Sequence, residues 1–582
     1  DNVSLNLHLL GSILAKMSIM HSVWTIYIVL CCLGVTQAIA GARRGLVSKR
    51  RSQHLLPRQP QAPPSTQQED VQRMAQEASN ELPDPVKYTD SIKKVLDEVL
   101  TFNGINQTNQ GTWAKTENGL LINSSDGDEE QVPWFDDTPF KGIPNVDRGS
   151  NGGWSKIPGD IPGFTLNQSL KVTDELVNGK NVVQPFFMSP PDEYQNDPSK
   201  IKRVVIVFPG KPRDSWKYAT LVYNVREFVY QQSQQGQLDG VTINPGEVMI
   251  MAPVVLNDDD LQAGGVDREQ NWVAYKGSNW QMGGSTRFPN LNHSVSFYKV
   301  MDIMLETLFD RQWLPNLNQV VFVGHSMGGQ TAMRYALLKK RRFYENNIKF
   351  WIGNPGSYAW LYNSRPISEP DNLKQDCSAD IDTWPYGLGG NVSKITKYGR
   401  KRVQENKTEI VTNYRLRDIR YAYALLDNGS GDSHCQAQYQ GYSHLHRGTL
   451  FAKALADSEA GFPVNHSVSY AAQVSHQDYP MLAQPESQQF IFVKDYNTPF
   501  HNLSHKHEHH HKATSKELGD SEDEEYDNSW EEHVYRIVGW VVVVSFIVAI
   551  IVVLLIFYMM YKANANDWDR DDWDYDSKQR LL

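Results

Sequence analysis

A chain of 582 residues is too long for one ordinary hydrophobic core. Apolar residues make up 40% and charged residues 21%, the balance of a folded protein with polar tails. The net charge of −10 comes with no basic block of the size a nucleic-acid groove needs, so nucleic acid is excluded as an expected partner.

In chain order, the first feature is an apolar run, VWTIYIVLCCLGV (Val23–Val35), followed by Ala38-Ile39-Ala40. Such a run ending in A-x-A reads as a signal peptide cleaved after Ala40, with a short membrane anchor as the alternative, and residues 1–40 are assigned to this region. Residues 41–85 are basic and then rich in Gln and Pro, the composition of a disordered linker or propeptide. Lys49-Arg50-Arg51 within them is either a dibasic processing site or solvated charge. Residues 86–168 form an N-terminal extension. In it TDSIKKVLDEVLTFNG (Thr89–Gly104) has helical spacing, with Ile92, Val95, Leu96, Val99 and Leu100 on one face, Thr89 placed to cap and Gly104 past the end.

Residues 169–498 alternate buried strands with helices. SLKVTDEL, NVVQPFFMS, KRVVIVFPG, EVMIMAPVV, VVFVGH, IKFWIGNP, IRYAYALLD and SYAAQVSH read as strands. Helices are expected over 216–232, 294–309 and after Ser326. This pattern predicts the α/β class, a mostly parallel sheet with helices on both faces. Residues 359–412 break the alternation and are assigned to a lid-like insertion.

Beyond residue 498, residues 499–536 make a His-rich and acidic stalk, with six histidines between His501 and His511. A histidine tract without fixed geometry is a weak chelator, so no metal and no cofactor is assigned. IVGWVVVVSFIVAIIVVLLIFYMMY (Ile537–Tyr561) is 25 residues without a charge, enough to cross a hydrocarbon core of about 30 Å as a transmembrane helix. Residues 562–582 are then a cytoplasmic tail. N-x-S/T sequons begin at Asn106, Asn123, Asn167, Asn292, Asn391, Asn406, Asn428, Asn465 and Asn502, all between the two apolar segments. They argue for glycosylation and a lumenal or extracellular catalytic region, hence a single-pass type I membrane protein of the secretory pathway. Removal of the signal region leaves Cys377 and Cys435, which in an oxidising compartment are most simply a disulfide, with two buried thiols as the alternative.

The chemistry centres on Gly324-His325-Ser326-Met327-Gly328, a G-x-S-x-G between an apolar strand and a helix. In a nucleophile elbow, small flanking residues let the backbone turn tightly and lift the serine hydroxyl above the sheet. The N–H of Met327 is aimed at a developing oxyanion, and the loop after the Val204–Phe208 strand is expected to supply the second donor, through Lys211 because Pro212 has no N–H. A serine needs a base near neutral pH. His476 follows the last apolar strand, and His466 is its upstream rival. Asp427 ends the strand before, and Asp432 in the same loop is the alternative acid. Ser326, Asp427, His476 have the chain order of acyl-transfer triads on parallel sheets.

These motifs carry a resemblance. GHSMGGQ with RYAL, GNPGSYAWL with RP (Gly353–Pro366), DNGSGDSHCQAQ from Asp427, and SHQDYPM from Ser475 resemble the α/β-hydrolase superfamily over residues of about 200 to 495. More narrowly, they resemble a family of secreted, largely uncharacterised fungal serine hydrolases. The resemblance implies a Ser326/Asp427/His476 triad and a Cys377–Cys435 bridge. Pro209 stands where many lipases and esterases carry histidine, and the sequon at Asn428 adjoins the proposed acid. Trp272, Tyr275 and Trp280, with Tyr358, Trp360 and Tyr362, are candidates to line the pocket mouth or to stabilise loops. The expected activity is hydrolysis of carboxylic esters through an acyl-enzyme on Ser326. Peptide or amide hydrolysis by the same triad, and a surface binding protein with an idle serine, remain open.

Overall fold

The computed structural model describes residues 67–101, 143–144, 146–189, 197–238, 240–370, 373 and 376–500. Contacts divide the chain after Thr66, and every described residue belongs to the second unit. The signal region, the transmembrane segment and the cytoplasmic tail lie outside the described residues, as does the stalk beyond Phe500. No helix among the described residues is long and apolar enough to cross a membrane.

Eight strands form one sheet: β1 (Thr165–Lys171), β2 (Val183–Met188), β3 (Arg203–Phe208), β4 (Val248–Pro253), β5 (Gln319–His325), β6 (Ile348–Gly353), β7 (Asp418–Ala424) and β8 (His466–Ala471). Their spatial order is β1-β2-β4-β3-β5-β6-β7-β8. β1 and β2 pair antiparallel, as do β2 and β4, and every later pair is parallel. β2 to β6 are buried at every position, as strands covered on both faces must be. That is why they stand out as unbroken apolar runs rather than alternating ones. One face packs on a core with Phe208, Phe322, Phe350 and Tyr335, the other on one with Val205, Val321, Trp351 and Phe492.

Three expectations need correction. Residues Gln67–Ala78, assigned to a disordered linker, form helix α1, because Val71, Ala75 and Ala78 recur at helical spacing and bury against the domain. The next helix, α2, spans Pro85–Thr101 and starts one turn before Thr89. Asp84 Oδ1 accepts from Val86 N and Lys87 N, which leaves Thr89 Oγ1 to accept from Phe462 N at 3.0 Å. Last, β8 covers His466–Ala471 rather than 469–476. His466 thus opens the strand, fully buried, and His476 sits in the loop beyond it.

The remaining long helices are α3 (Ser215–Gln234), α4 (Phe297–Leu308), α5 (Met327–Leu338), α6 (Arg400–Arg415) and α7 (His444–Ala456). Much of 359–412 is short turns ahead of α6, and its Trp360 meets Phe451 edge-on in the core, where Tyr358, just before the insertion, stacks on the same ring at 4.4 Å. Trp272, Tyr275 and Trp280 are likewise buried, Tyr275 and Trp280 each edge-on to Phe297. These rings, with only Tyr362 partly exposed, support the loops and do not form the wall of an open mouth.

Candidate active site

β5 ends in mid-sheet, between β3 and β6, with Gly324 opposite Phe208 and His325 opposite Gly353. The next residue, Ser326, adopts φ 58° and ψ −120° and α5 begins at once. An L-residue held there stores about 1–3 kcal/mol of backbone strain, which the surroundings must offset. Ser326 N donates to Gly353 O at 2.9 Å, and Ser326 O accepts from Gln330 N at 3.0 Å. The glycines are required by space: a Cβ on Gly324 would lie 2.1 Å from Gly328 O, and one on Gly328 would lie 2.7 Å from Phe208 O. Gly329 is a third such position, since its Cβ would sit 2.6 Å from Gly353 O. Only backbone without side chains lets α5 pack this closely on β3 and β6.

Two distant loops converge on the hydroxyl. His476 Nε2 lies 2.9 Å from Ser326 Oγ, and His476 Nδ1 lies 2.7 Å from Asp427 Oδ2. The loops are stitched together: Leu425 N donates to Ala471 O, and Leu426 N to Val474 O. Behind His476 the buried pair Lys217–Asp478, at 3.1 Å, holds the chain two residues on. Asp432 is elsewhere engaged. Its Oδ2 accepts from Ser357 Oγ at 2.7 Å and from Tyr386 OH at 3.1 Å, and its Oδ1 faces His434 Nδ1 at 2.5 Å. His466 is also remote from the serine, with its ring nitrogens on Tyr421 OH and Tyr414 O. The arrangement therefore brings Ser326, His476 and Asp427 together and leaves the alternative acid and the rival base outside.

Electrostatics follow burial. Burial alone favours a neutral Asp427, but His444 and His476, by charge and hydrogen bonding, hold its carboxyl well below the usual range. Burial also opposes charge on His476, yet the Asp427 carboxylate outweighs it and raises the imidazole above its ordinary value. His325 and His444 are pushed the other way by burial. Their rings flank His476, His444 at 4.1 Å between centroids and His325 at 4.7 Å. His476 thus stacks on one imidazole and lies beside another, both of which favour neutrality.

For the oxyanion, the loop Pro209–Arg213 packs against the first turn of α5. Neither Lys211 N nor Met327 N has a hydrogen-bond partner among the described residues. Trp154 Nε1 bonds Pro212 O at 2.8 Å, and Arg213, at φ 66°, pairs with buried Asp260, so this loop is fixed from outside. Asp427, His444 and His476 are also the one described group whose donor atoms lie close enough to share a metal ion. Of those atoms, Asp427 Oδ2 and His476 Nδ1 are already bonded to each other, and His444 Nδ1 to Gly429 O. Two cavities, of about 280 and 320 Å³, have no triad residue in their walls.

Cys377 and Cys435 are joined, tying the insertion to the loop that carries the acids. Of the sequon asparagines, Asn292, Asn391, Asn406 and Asn465 are exposed and Asn167 is partly so. Asn106, Asn123 and Asn502 lie outside the described residues. Asn428 is partly buried, its Oδ1 enclosed next to Asp427.

His444 is the residue that sequence reasoning missed. QGYSHLHRG carries two histidines, and no apolar period separates the role of His444 from that of His446. The available signal was Ser443, which caps α7 by accepting from His446 N and so sets residue 444 at the helix entrance.

No family model and no curated protein matches the chain. Among solved structures, it is similar to poly(aspartic acid) hydrolase-1 from Sphingomonas sp. KT-1, at 14% identity over 57% of this chain and 98% of that one, with a TM-score of 0.35. It is similar also to LpqC, a poly(3-hydroxybutyrate) depolymerase from Bordetella parapertussis, at 15% identity over 56% and 89%, with a TM-score of 0.35. A third is the siderophore hydrolase EstB from Aspergillus nidulans, at 11% identity over 59% and 98%, with a TM-score of 0.28. The chain's own strand order, its strained serine after β5 and the Ser–His–Asp array at the sheet's carboxyl edge define an α/β-hydrolase fold.

Proposed function

We propose that this protein is a serine hydrolase of carboxylic esters. The observation that carries the reading is the unbroken chain Ser326 Oγ, His476, Asp427, with contacts of 2.9 and 2.7 Å. His476 Nε2 takes the hydroxyl proton as Oγ attacks the acyl carbon, and Asp427 orients the ring and stabilises the imidazolium. The N–H groups of Met327 and Lys211 receive the oxyanion. His476 then returns the proton to the leaving alkoxide, water enters by the same base, and the acyl-enzyme on Ser326 is hydrolysed. Esters are favoured because an alkoxide leaves with less assistance than an amine.

The same proposal sets the enzyme in the secretory pathway, anchored by residues 537–561 with the catalytic domain lumenal or extracellular. Four exposed sequon asparagines and the Cys377–Cys435 bridge support this placement, as does the motif resemblance to secreted fungal hydrolases. A fluorophosphonate probe tests the chemistry. Wild type is expected to label once, at Ser326, and to turn over acyl esters, with a preferred chain length emerging from a series. Labelling that survives Ser326→Ala, or absent from wild type, rejects the reading.

A further inference from the structure

His444 makes contacts that ordinary core packing does not require. Its side chain is 8% exposed, and Nδ1 lies 3.1 Å from Asp427 Oδ1 and 3.0 Å from Gly429 O. The N–H is directed at the carbonyl, and Asp427 Oδ1, though close, is buried without a hydrogen-bond partner. Asp427 thus has an imidazole beside each oxygen, one hydrogen-bonded to Oδ2 and one in close electrostatic contact with Oδ1. The backbone repeats the link: His444 N donates to Gly429 O and Leu445 N to Asp427 O. Gly431 makes room for the far nitrogen, since a Cβ there would lie 2.9 Å from His444 Nε2. The ring is thus anchored at Nδ1 and lies nearly parallel to His476, 27° between planes.

The charged and titratable groups around it come from every side. Asp427 faces it from the loop after β7, His476 from the loop after β8, and His325 from the end of β5 beyond His476. Arg447 lies one turn along α7, its guanidinium spent on Gly356 O, Ser430 O and Gly441 O. The Lys217–Asp478 pair stands behind His476. A second imidazolium in this group would face the first across 4.1 Å, so only one of the two rings carries charge at a time. Burial on His444 assigns that charge to His476.

We propose that His444 is a positioning residue for the triad: its ring, anchored through Nδ1–H to Gly429 O, sets its polar N–H edge against the second oxygen of Asp427, and its ring face supports the His476 imidazolium formed during proton transfer. The proposal rests on the hydrolase reading, and its test separates the two. Two variants divide the roles. His444→Phe keeps a flat ring without the N–H, and His444→Asn keeps an N–H near the same place without the ring. In the Ser326→Ala background the titration midpoint of His476, read by imidazole NMR, needs no turnover. With His444→Phe, Asp427 loses the polar N–H edge beside Oδ1 and binds the His476 imidazolium more strongly, so that midpoint is expected to rise. The acid limb of kcat/KM in the Ser326 enzyme should move with it. kcat per labelled serine should fall about 10- to 100-fold at unchanged KM, the scale seen for outer partners that orient a metal-bound imidazole. His444→Asn should restore the midpoint and part of kcat. A His444→Phe protein with wild-type kcat and midpoint overturns the proposal. So does an equal loss in both variants with an unmoved midpoint, the mark of a merely structural residue. Failure of wild type to label or turn over esters rejects the hydrolase reading instead.

Discussion

The two edges of the central sheet treat buried charge in opposite ways. At the amino edge, before β6 and β7, Glu345 accepts Lys339 Nζ at 2.6 Å and Arg417 Nε at 2.8 Å, all three side chains at most 5% exposed. Lys349 closes a second pair there with Asp495 at 2.6 Å. At the carboxyl edge the Asp427 carboxylate is wholly buried among imidazoles, one of which, His476, keeps 34% of its side chain exposed. The amino edge pairs its charges, and the Glu345 group is turned wholly inward. The carboxyl edge leaves one proton acceptor free to reach solvent and a strained hydroxyl. The difference teaches how to tell a structural ionic network from a catalytic one: both are buried, but only one has an unspent valence facing out.

The largest test of that contrast compares acids. Asp427→Asn is expected to lower kcat about 10⁴-fold, because the amide favours the wrong tautomer of His476. Asp432→Asn, whose carboxylate faces Ser357 and Tyr386 instead, should keep kcat within the same order of magnitude. Steady-state kinetics normalised to fluorophosphonate-labelled serine decide it, and equal losses would erase the distinction.

At the other edge the effect should fall on stability alone. Glu345→Gln leaves Lys339 and Arg417 buried without their counter-charge, a change that costs about 3–5 kcal/mol. Urea unfolding should show that loss, while kcat per labelled serine stays as in wild type. A matching fall in kcat would mean that the two edges are coupled through the sheet.

Legibility in the sequence followed the same division. The strands of the buried sheet were readable because residues covered on both faces must be apolar, and G-x-S-x-G was readable because its glycines answer to backbone clashes. Ser326, Asp427 and His476 were found from strand ends and chain order. Choosing Asp427 over Asp432 required coordinates, since both lie in one polar loop and either can be a turn residue. α1 was missed because three small apolar residues in a Gln-rich stretch fall below any pattern that composition can show. The end of β8 was misplaced because SYAAQVSH continues apolar past Ala471 into the loop where Gln473 takes a positive φ. The aromatic clusters gave no sign of whether they line a cleft or fill a core, as burial is decided by partners far along the chain.

A backbone change probes the carboxyl edge more gently. Lys211→Pro removes one N–H from the proposed oxyanion site and should cost about 10²–10³ in kcat. Lys211→Ala keeps the N–H and should behave as wild type. Parity between the two variants would remove Lys211 from the site.

The smallest effect is a dependence on pH that should divide the edges in order. At the carboxyl edge His476 must be neutral to act, and Asp427 raises its midpoint above the ordinary 6.5. Activity is therefore lost first, as pH falls through a value above 6.5. At the amino edge His466 opens β8 and is held neutral by burial, its value pushed down to about 3. Between about 6.5, where an unfolded histidine titrates, and 3, the unfolded chain binds the proton that the folded chain refuses. Stability contributed by this ring is thus complete above 6.5 and erodes as pH falls, by about 1.4 kcal/mol per unit within the window. Denaturant midpoints at pH 7.5, 6 and 4.5 should fall slightly across the first step and at least twice as far across the second, with activity already declining before the larger drop begins. Inactivation and unfolding that coincide would show that one event, and not two separately placed histidines, governs the acid response.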